Sequence, residues 1–288
     1  MAISPAHKFG QIIGDILEES MIQYLKPIAE KHLLYLDYRH PRPVRNNKKE
    51  VRWVDVNGNA HKLDIVMEEN GSESNLGTPR VFIEMAWRRY TKHSKNKAQE
   101  ISGAIKPLID KYIKFTPFLG VVIAGEFTKN SIDQMRSEGF EVVYISIEAI
   151  EKAFSVVGID AHWEELTPEK DLRKKIKLYE NLTINEIERI KDALIQNNKE
   201  QLEIFSSRLC LSLERNLESI QVVSIYGKHT MFASVEDACK FISNFKELPS
   251  NSRFYRFEIS VRYSNGDRMD AQYAERQSAI LFLRSLIL

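Results

Sequence analysis

Cysteine is scarce in this chain of 288 residues: only Cys210 and Cys239 are present, far apart. Two thiols give neither a disulfide framework nor the paired spacing of a zinc site, and as buried structural groups they suit a reducing cytoplasm. Long apolar runs are missing too. No stretch approaches the ~18 residues needed to cross a bilayer, and the amino terminus lacks the apolar segment of a secretion signal, so no membrane partner is expected. Net charge is almost absent at +1, so any surface made for a polyanion must be local. No serine or cysteine stands in an arrangement that supports a nucleophilic triad. What remains, 43% hydrophobic and 28% charged, is the balance of a globular protein with a real core, in one large domain or two ordinary ones.

From Ser4-Pro5, apolar residues recur at Phe9, Ile12, Ile13, Ile16, Leu17, Met21, Tyr24 and Leu25 with helical spacing, which predicts a long opening helix. Gly10, Gly14 and Glu18 share one face of it, and missing side chains there would let it lie close to a sheet with Glu18 at the edge. Tyr38 to Lys49 reads as a basic loop. Val51–Val56 and Lys62–Met67 flank Asn57-Gly58-Asn59 as a hairpin, and Arg80–Trp87 forms a third strand. A helix from Ser94 to about Lys114, a buried strand at Phe118–Ala124, a helix at Lys129–Glu138, a strand at Glu141–Ile147 and a helix at Glu148–Phe154 follow. That order implies an α/β fold with a mixed central sheet flanked by helices over residues 1–158. Residues 159–217 read as a helical linker or dimerisation segment, with Thr183-Ile184-Asn185-Glu186 as a capping box. Residues 218–288 read as a small α+β module in which strand, tight turn, strand and helix occur twice, with turns at Gly227-Lys228 and Asn265-Gly266.

The chemistry gathers in two of the strands. Asp64 and Glu84 each sit in an apolar run, where a lone carboxylate costs free energy. Adjacent strands would bring them together, and two such acids repel unless a hard divalent ion lies between them; one or two carboxylates with several waters is the environment magnesium prefers. Basic residues follow at once: residues 86–115 hold Arg88, Arg89, Lys92, Lys95, Lys97, Lys106, Lys111 and Lys114 against Glu100 and Asp110. Arg88, Arg89, Lys92 and Lys97, interleaved with Trp87, Tyr90 and His93, are candidates for nucleic-acid phosphate contact. His93 has nothing to orient it as a general base.

Over residues 5 to 155 the chain resembles the PD-(D/E)XK nuclease superfamily, the fold of many type II restriction endonucleases. The resemblance implies a helix acid at Glu18, magnesium-binding acids at Asp64 and Glu84, and a polar helix residue, Gln99, supporting the site. It implies magnesium-dependent cleavage of double-stranded DNA that leaves 5′-phosphate and 3′-hydroxyl ends. Ala86 stands where the pattern has a lysine two residues after the second acid. Lys62, on the face of Asp64, is the first substitute; Lys95 or Lys97 could reach back from the following helix, and Lys92 lies in the turn. A cutter of both strands is expected as a symmetric homodimer, with the long helix from Thr183 as a candidate interface. The competing readings are a DNA-binding protein on a nuclease fold in which Ala86 marks lost cleavage, and a nuclease acting on RNA or on modified or structured DNA. Glu18 on an amphipathic helix also fits a solvated surface role.

Overall fold

The computed structural model describes residues 4–90, 94–214, 216–224, 229–246 and 256–286. Helix α1 (Pro5–Lys31) starts where the Ser4 side chain accepts the His7 backbone N–H, with Pro5 in the first turn where its missing N–H costs nothing. Phe9, Ile13, Ile16, Leu17, Met21 and Leu25 form its buried stripe. The glycine face does not bring it unusually close to the sheet. A Cβ at Gly10 would sit in ordinary contact, 3.5 Å from the Trp87 indole nitrogen, and one at Gly14 would meet nothing within 4 Å.

Strands β1 (Leu34–Asp37), β4 (Ile65–Glu69), β5 (Thr78–Arg88), β6 (Phe118–Gly125) and β7 (Glu141–Ile145) form one mixed sheet in the order β1-β4-β5-β6-β7, while β2 (Val51–Val54) and β3 (Ala60–Leu63) pair only with each other. The first two joins of the large sheet are antiparallel. The last two are parallel, as connections through helices α2 (Ser94–Tyr112) and α3 (Lys129–Ser137) favour. The expected single strand Lys62–Met67 is broken at Asp64, which lies at a bend between β3 and β4. The two halves have different surroundings. Ile65, Val66 and Met67 are all buried, as an interior strand requires, whereas β3 buries Leu63 and leaves Lys62 in solvent. Strand β1, three half-buried residues and the buried Asp37, escaped the sequence pattern.

One face of the large sheet carries α2 and α3. Ala98, Ile101, Ile105 and Leu108 of α2 and Ile132 and Met135 of α3 share a core with Val66, Phe82, Ala86, Val121 and Ile123, and with Val51, Trp53 and Leu63 of the hairpin. Gly120 of β6 is required by close packing, because a Cβ there would lie 2.7 Å from the Phe205 ring and 2.9 Å from Ile83.

The basic loop after β1 carries a buried clamp within an otherwise exposed stretch. The wholly buried Arg42 guanidinium grips Glu68 through two nitrogens, at 2.6 and 3.0 Å. It also donates to the carbonyls of Ser72 and Asn75 and pairs with buried Asp37 at 2.8 Å. Arg45 binds the same Asp37 oxygen.

Helices α4 (Ile147–Ser155), α5 (Glu169–Glu180), α6 (Ile184–Asn197) and α7 (Lys199–Leu213) complete the larger part. The chain forms two compact units, Met1–Cys210 and Leu211–Leu288, so the boundaries expected at 158 and 217 are not where it divides. The reason is packing: α5 and α6 lie on α1, and α6 also lies on α4. Gln201 of α7 accepts the Tyr144 N–H at 3.1 Å and donates to its carbonyl at 3.0 Å, covering the edge strand β7. The Thr183 capping box forms as expected. Ile190 and Leu194 of that helix are buried within the protomer and Ile184 stays exposed, so its apolar stripe is used internally.

In the second unit β8 (Leu217–Ser224), β9 (His229–Phe232), α8 (Val235–Asn244), β10 (Phe257–Tyr263), β11 (Arg268–Tyr273) and α9 (Arg276–Arg284) complete the two expected ββα repeats within one chain. They share an antiparallel sheet ordered β11-β10-β8-β9. Ile220, Val222, Phe257, Ile259 and Val261 face Ala238, Cys239, Ile242, Ala279 and Leu283 of the helices. Gly266 supplies the positive φ, 89°, of the second turn; the turn expected at Gly227-Lys228 lies outside the described residues. Both cysteines are free thiols, Cys239 buried and Cys210 half-buried. Among the described residues no helix is long and apolar enough to cross a membrane.

Candidate functional site

Antiparallel pairing of Ile65 with Ile83 places the next residues out, Asp64 and Glu84, across from each other. Glu84 alternates with Phe82 and Ala86, so it points to the α2 face of the sheet. Asp64, at the bend, is held by the Met85 backbone N–H, which donates to its Oδ2 at 2.7 Å. The chain thus turns from hairpin to sheet at the residue whose carboxylate faces the second acid.

Glu84 is 6% exposed, and its Oε1 has no hydrogen-bond partner. Burial first, then the charge of Asp64, push its carboxyl up to about 8, against the pull of Lys97 and the Asp64 backbone. Asp64 is raised as well, chiefly by burial, and held back by the Met85 N–H, Lys97 and Lys62. Glu18 of α1, half-buried, is raised by burial and next by the charge of Asp64, while Arg39 opposes the rise. Asp64 repels both Glu18 and Glu84, and all three are shifted toward the neutral form, which makes a region of negative potential that a divalent cation would relieve. Among the described residues no three His, Cys, Asp or Glu side chains gather as a metal-binding group. The donor set on offer is therefore the Asp64 and Glu84 carboxylates, which matches the one or two acids plus water that magnesium takes.

The cations divide differently from the sequence expectation. Lys97, expected at DNA phosphate, has a side chain only 15% exposed, acts on both Asp64 and Glu84, and holds Glu100 at 2.9 Å. Lys62, the first substitute for the missing lysine, is 60% exposed and pairs with Glu50 at 3.1 Å, although its charge reaches Asp64. Ala86 is buried in the core with Ala98 and Ile101 of α2, so the helix closes over the position where the pattern has a lysine. Gln99 is exposed and lies about 200° around the helix from Lys97, on another face. Lys95 lies in the first turn of α2 but its side chain lies outside the described residues, as do Lys92 and His93. Arg89 is engaged in structure: it donates to the Trp163 carbonyl at 2.8 Å and lies over the Trp163 ring at 5.2 Å. Arg88 donates to the Trp87 carbonyl at 2.9 Å.

Sequence reasoning missed Glu100, whose charge acts on both acids, and Arg39. The i,i+3 spacing of Lys97 and Glu100 on one helix face was the available signal for the first; for the second there was none. Comparison of the chain with protein-family models, with curated proteins and with solved structures finds no match.

Proposed function

We propose that this protein is a magnesium-dependent, restriction-type endodeoxyribonuclease that hydrolyses phosphodiester bonds in double-stranded DNA, with a restriction endonuclease-like first unit. The observation that carries the reading is the pair of facing acids, half-buried Asp64 and buried Glu84, with one Glu84 oxygen unpartnered and its carboxyl pushed up to about 8. A buried carboxylate kept only for structure would have its donors in place. Asp64 and Glu84 would hold the magnesium ion, which supplies a bound water of lowered pKa and polarises the phosphate.

The protein's own groups then divide the remaining work. Lys97 is the cation best sited to stabilise charge on the phosphate, since its ammonium is sheltered and acts on both acids. The core closing over Ala86 accounts for the lysine coming from α2. Glu100 orients Lys97 through their ion pair, and Glu18 adds a third acid facing Asp64. Water adds to phosphorus, the bond to the 3′-oxygen breaks, and that oxygen takes up a proton, leaving 5′-phosphate and 3′-hydroxyl ends. A homodimer would bring one site to each strand, with the second unit serving target recognition or dimerisation. Free thiols at Cys210 and Cys239 suit a cytoplasmic setting.

The second reading, a DNA-binding protein that does not cleave, draws on the buried Ala86 and on an acid site of only two ligands. Incubating the purified protein with plasmid DNA and magnesium, beside Asp64→Ala, separates the two. Fragments that fall at least ~1,000-fold in rate in the variant support the nuclease; intact but retarded DNA in both samples supports the binder.

A further inference from the structure

Strand β1 runs antiparallel to β4 with Leu36 opposite Met67 and Asp37 opposite Val66. The ladder ends there, and Arg39 and Asp64 each lie two residues beyond its last pair, at bends leaving the same end of the two strands. Its charge opposes the rise of both Glu18 and Asp15 on α1, which sets it beside the acidic face of that helix as well. Arg39 therefore stands where the sheet break and the helix acids converge, at the mouth of the candidate site.

The backbone on both sides of Arg39 is held. Arg45 donates to the carbonyl of Tyr38 at 3.4 Å and to that of His40 at 3.0 Å, and the His40 N–H and ring Nδ1 both reach the Tyr38 carbonyl. Arg45 is itself fixed by Asp37, and Asp37 by Arg42. The side chain of Arg39 is exposed, and among the described residues it makes no hydrogen bond or ion pair. Three cations are felt by Glu18, Asp64 or Glu84: Lys62, Lys97 and Arg39. The two lysines each hold a carboxylate; Arg39 holds none. A guanidinium with five donors, a clamped main chain and no protein partner, beside the acidic face of α1 that carries Glu18, is organised for an oxyanion from outside.

We infer that Arg39 is a substrate-binding residue that grips a backbone phosphate of DNA next to the bond cut at Asp64 and Glu84. The inference rests on the proposed nuclease reading for the identity of the anion. It differs from that reading in resting on the loop after β1, which the acid pair does not involve. A phosphate gripped there sits on the α1 side of the acids, opposite Lys97 on α2, so the substrate backbone would pass between two cations.

The test uses the full chain, a fluorescein-labelled DNA duplex with calcium in place of magnesium for binding, and plasmid with magnesium for cleavage. Arg39→Ala should weaken duplex binding roughly tenfold at moderate salt, lower the slope of log affinity against log salt by about one, and slow cleavage ~100-fold. Its melting temperature should not change, and Arg39→Lys should restore the salt slope. Unchanged slope and affinity in Arg39→Ala overturn the inference even where wild type cuts and Asp64→Ala does not. If wild type binds without cutting and Arg39→Ala still loses slope, the nuclease reading fails and the phosphate grip stands. A wild-type protein that does not bind the duplex sinks both.

Discussion

Two glutamates buried on neighbouring strands have opposite surroundings. Glu68 on β4 has no exposed surface, and both its oxygens are used, by two nitrogens of Arg42 and by the Gly77 N–H at 2.7 Å. Glu84 on β5 is nearly as buried, yet one oxygen has no partner and the nearest strong influence is a second acid. Burying a charge is costly in either case, and the cost is offset inside the protein for Glu68 only. The contrast separates a carboxylate whose charge is matched inside the fold from one whose charge is not.

Breaking the satisfied pair should have the largest effect. Arg42→Met leaves buried Glu68 without its cation and Asp37 with Arg45 alone, and should cost about 3–5 kcal/mol of stability, read as a lower urea midpoint with an unchanged slope. An unaltered midpoint would mean that the clamp contributes nothing to the fold. Next in size is the lysine comparison: Lys97→Ala should slow plasmid cleavage ~100-fold, and Lys62→Ala, which removes an exposed pair with Glu50, less than about threefold. The reverse ranking would return the role to the hairpin.

The smallest effect sharpens the view of Glu84 as a destabilised acid. Its carboxyl in the folded chain titrates near 8, above its ordinary value of 4.5. Between those values the folded state keeps a proton that the unfolded state has released, so the contribution of this group to stability is full below pH 4.5 and lost as pH rises toward 8. Glu84→Gln removes that loss. In chelator at pH 9 it should be more stable than wild type, seen as a higher melting point, and equal to wild type at pH 4. Magnesium at pH 8 should raise the melting point of wild type and not of the variant. A variant that melts below wild type at pH 9 would show Glu84 to be structurally satisfied.

Much of this was legible from residue spacing. The apolar period of α1, the Asn57-Gly58-Asn59 hairpin, the capping box at Thr183 and the doubled ββα pattern all rest on interactions among residues a few positions apart, which is why they can be read without coordinates. The same holds for the anomaly of Asp64 and Glu84, since a carboxylate in an apolar run declares its cost locally. Choice of partner cannot be read that way. Arg42 and Arg39 are three residues apart in one basic loop, yet the first is wholly buried against Glu68 and the second is free, and no local feature distinguishes them.

Local periodicity and composition thus settled the helices and most of the strands and marked Asp64 and Glu84 as carboxylates set in apolar runs, because short-range sterics and the alternation of apolar residues act within a few positions. Long-range packing settled the rest: the break at Asp64, the assignment of residues 169–210 to the first unit, the closure of α2 over Ala86, and Lys97 rather than Lys62 as the sheltered cation. Those outcomes depend on which distant surfaces come to share one core, and on desolvation that exists only once they do.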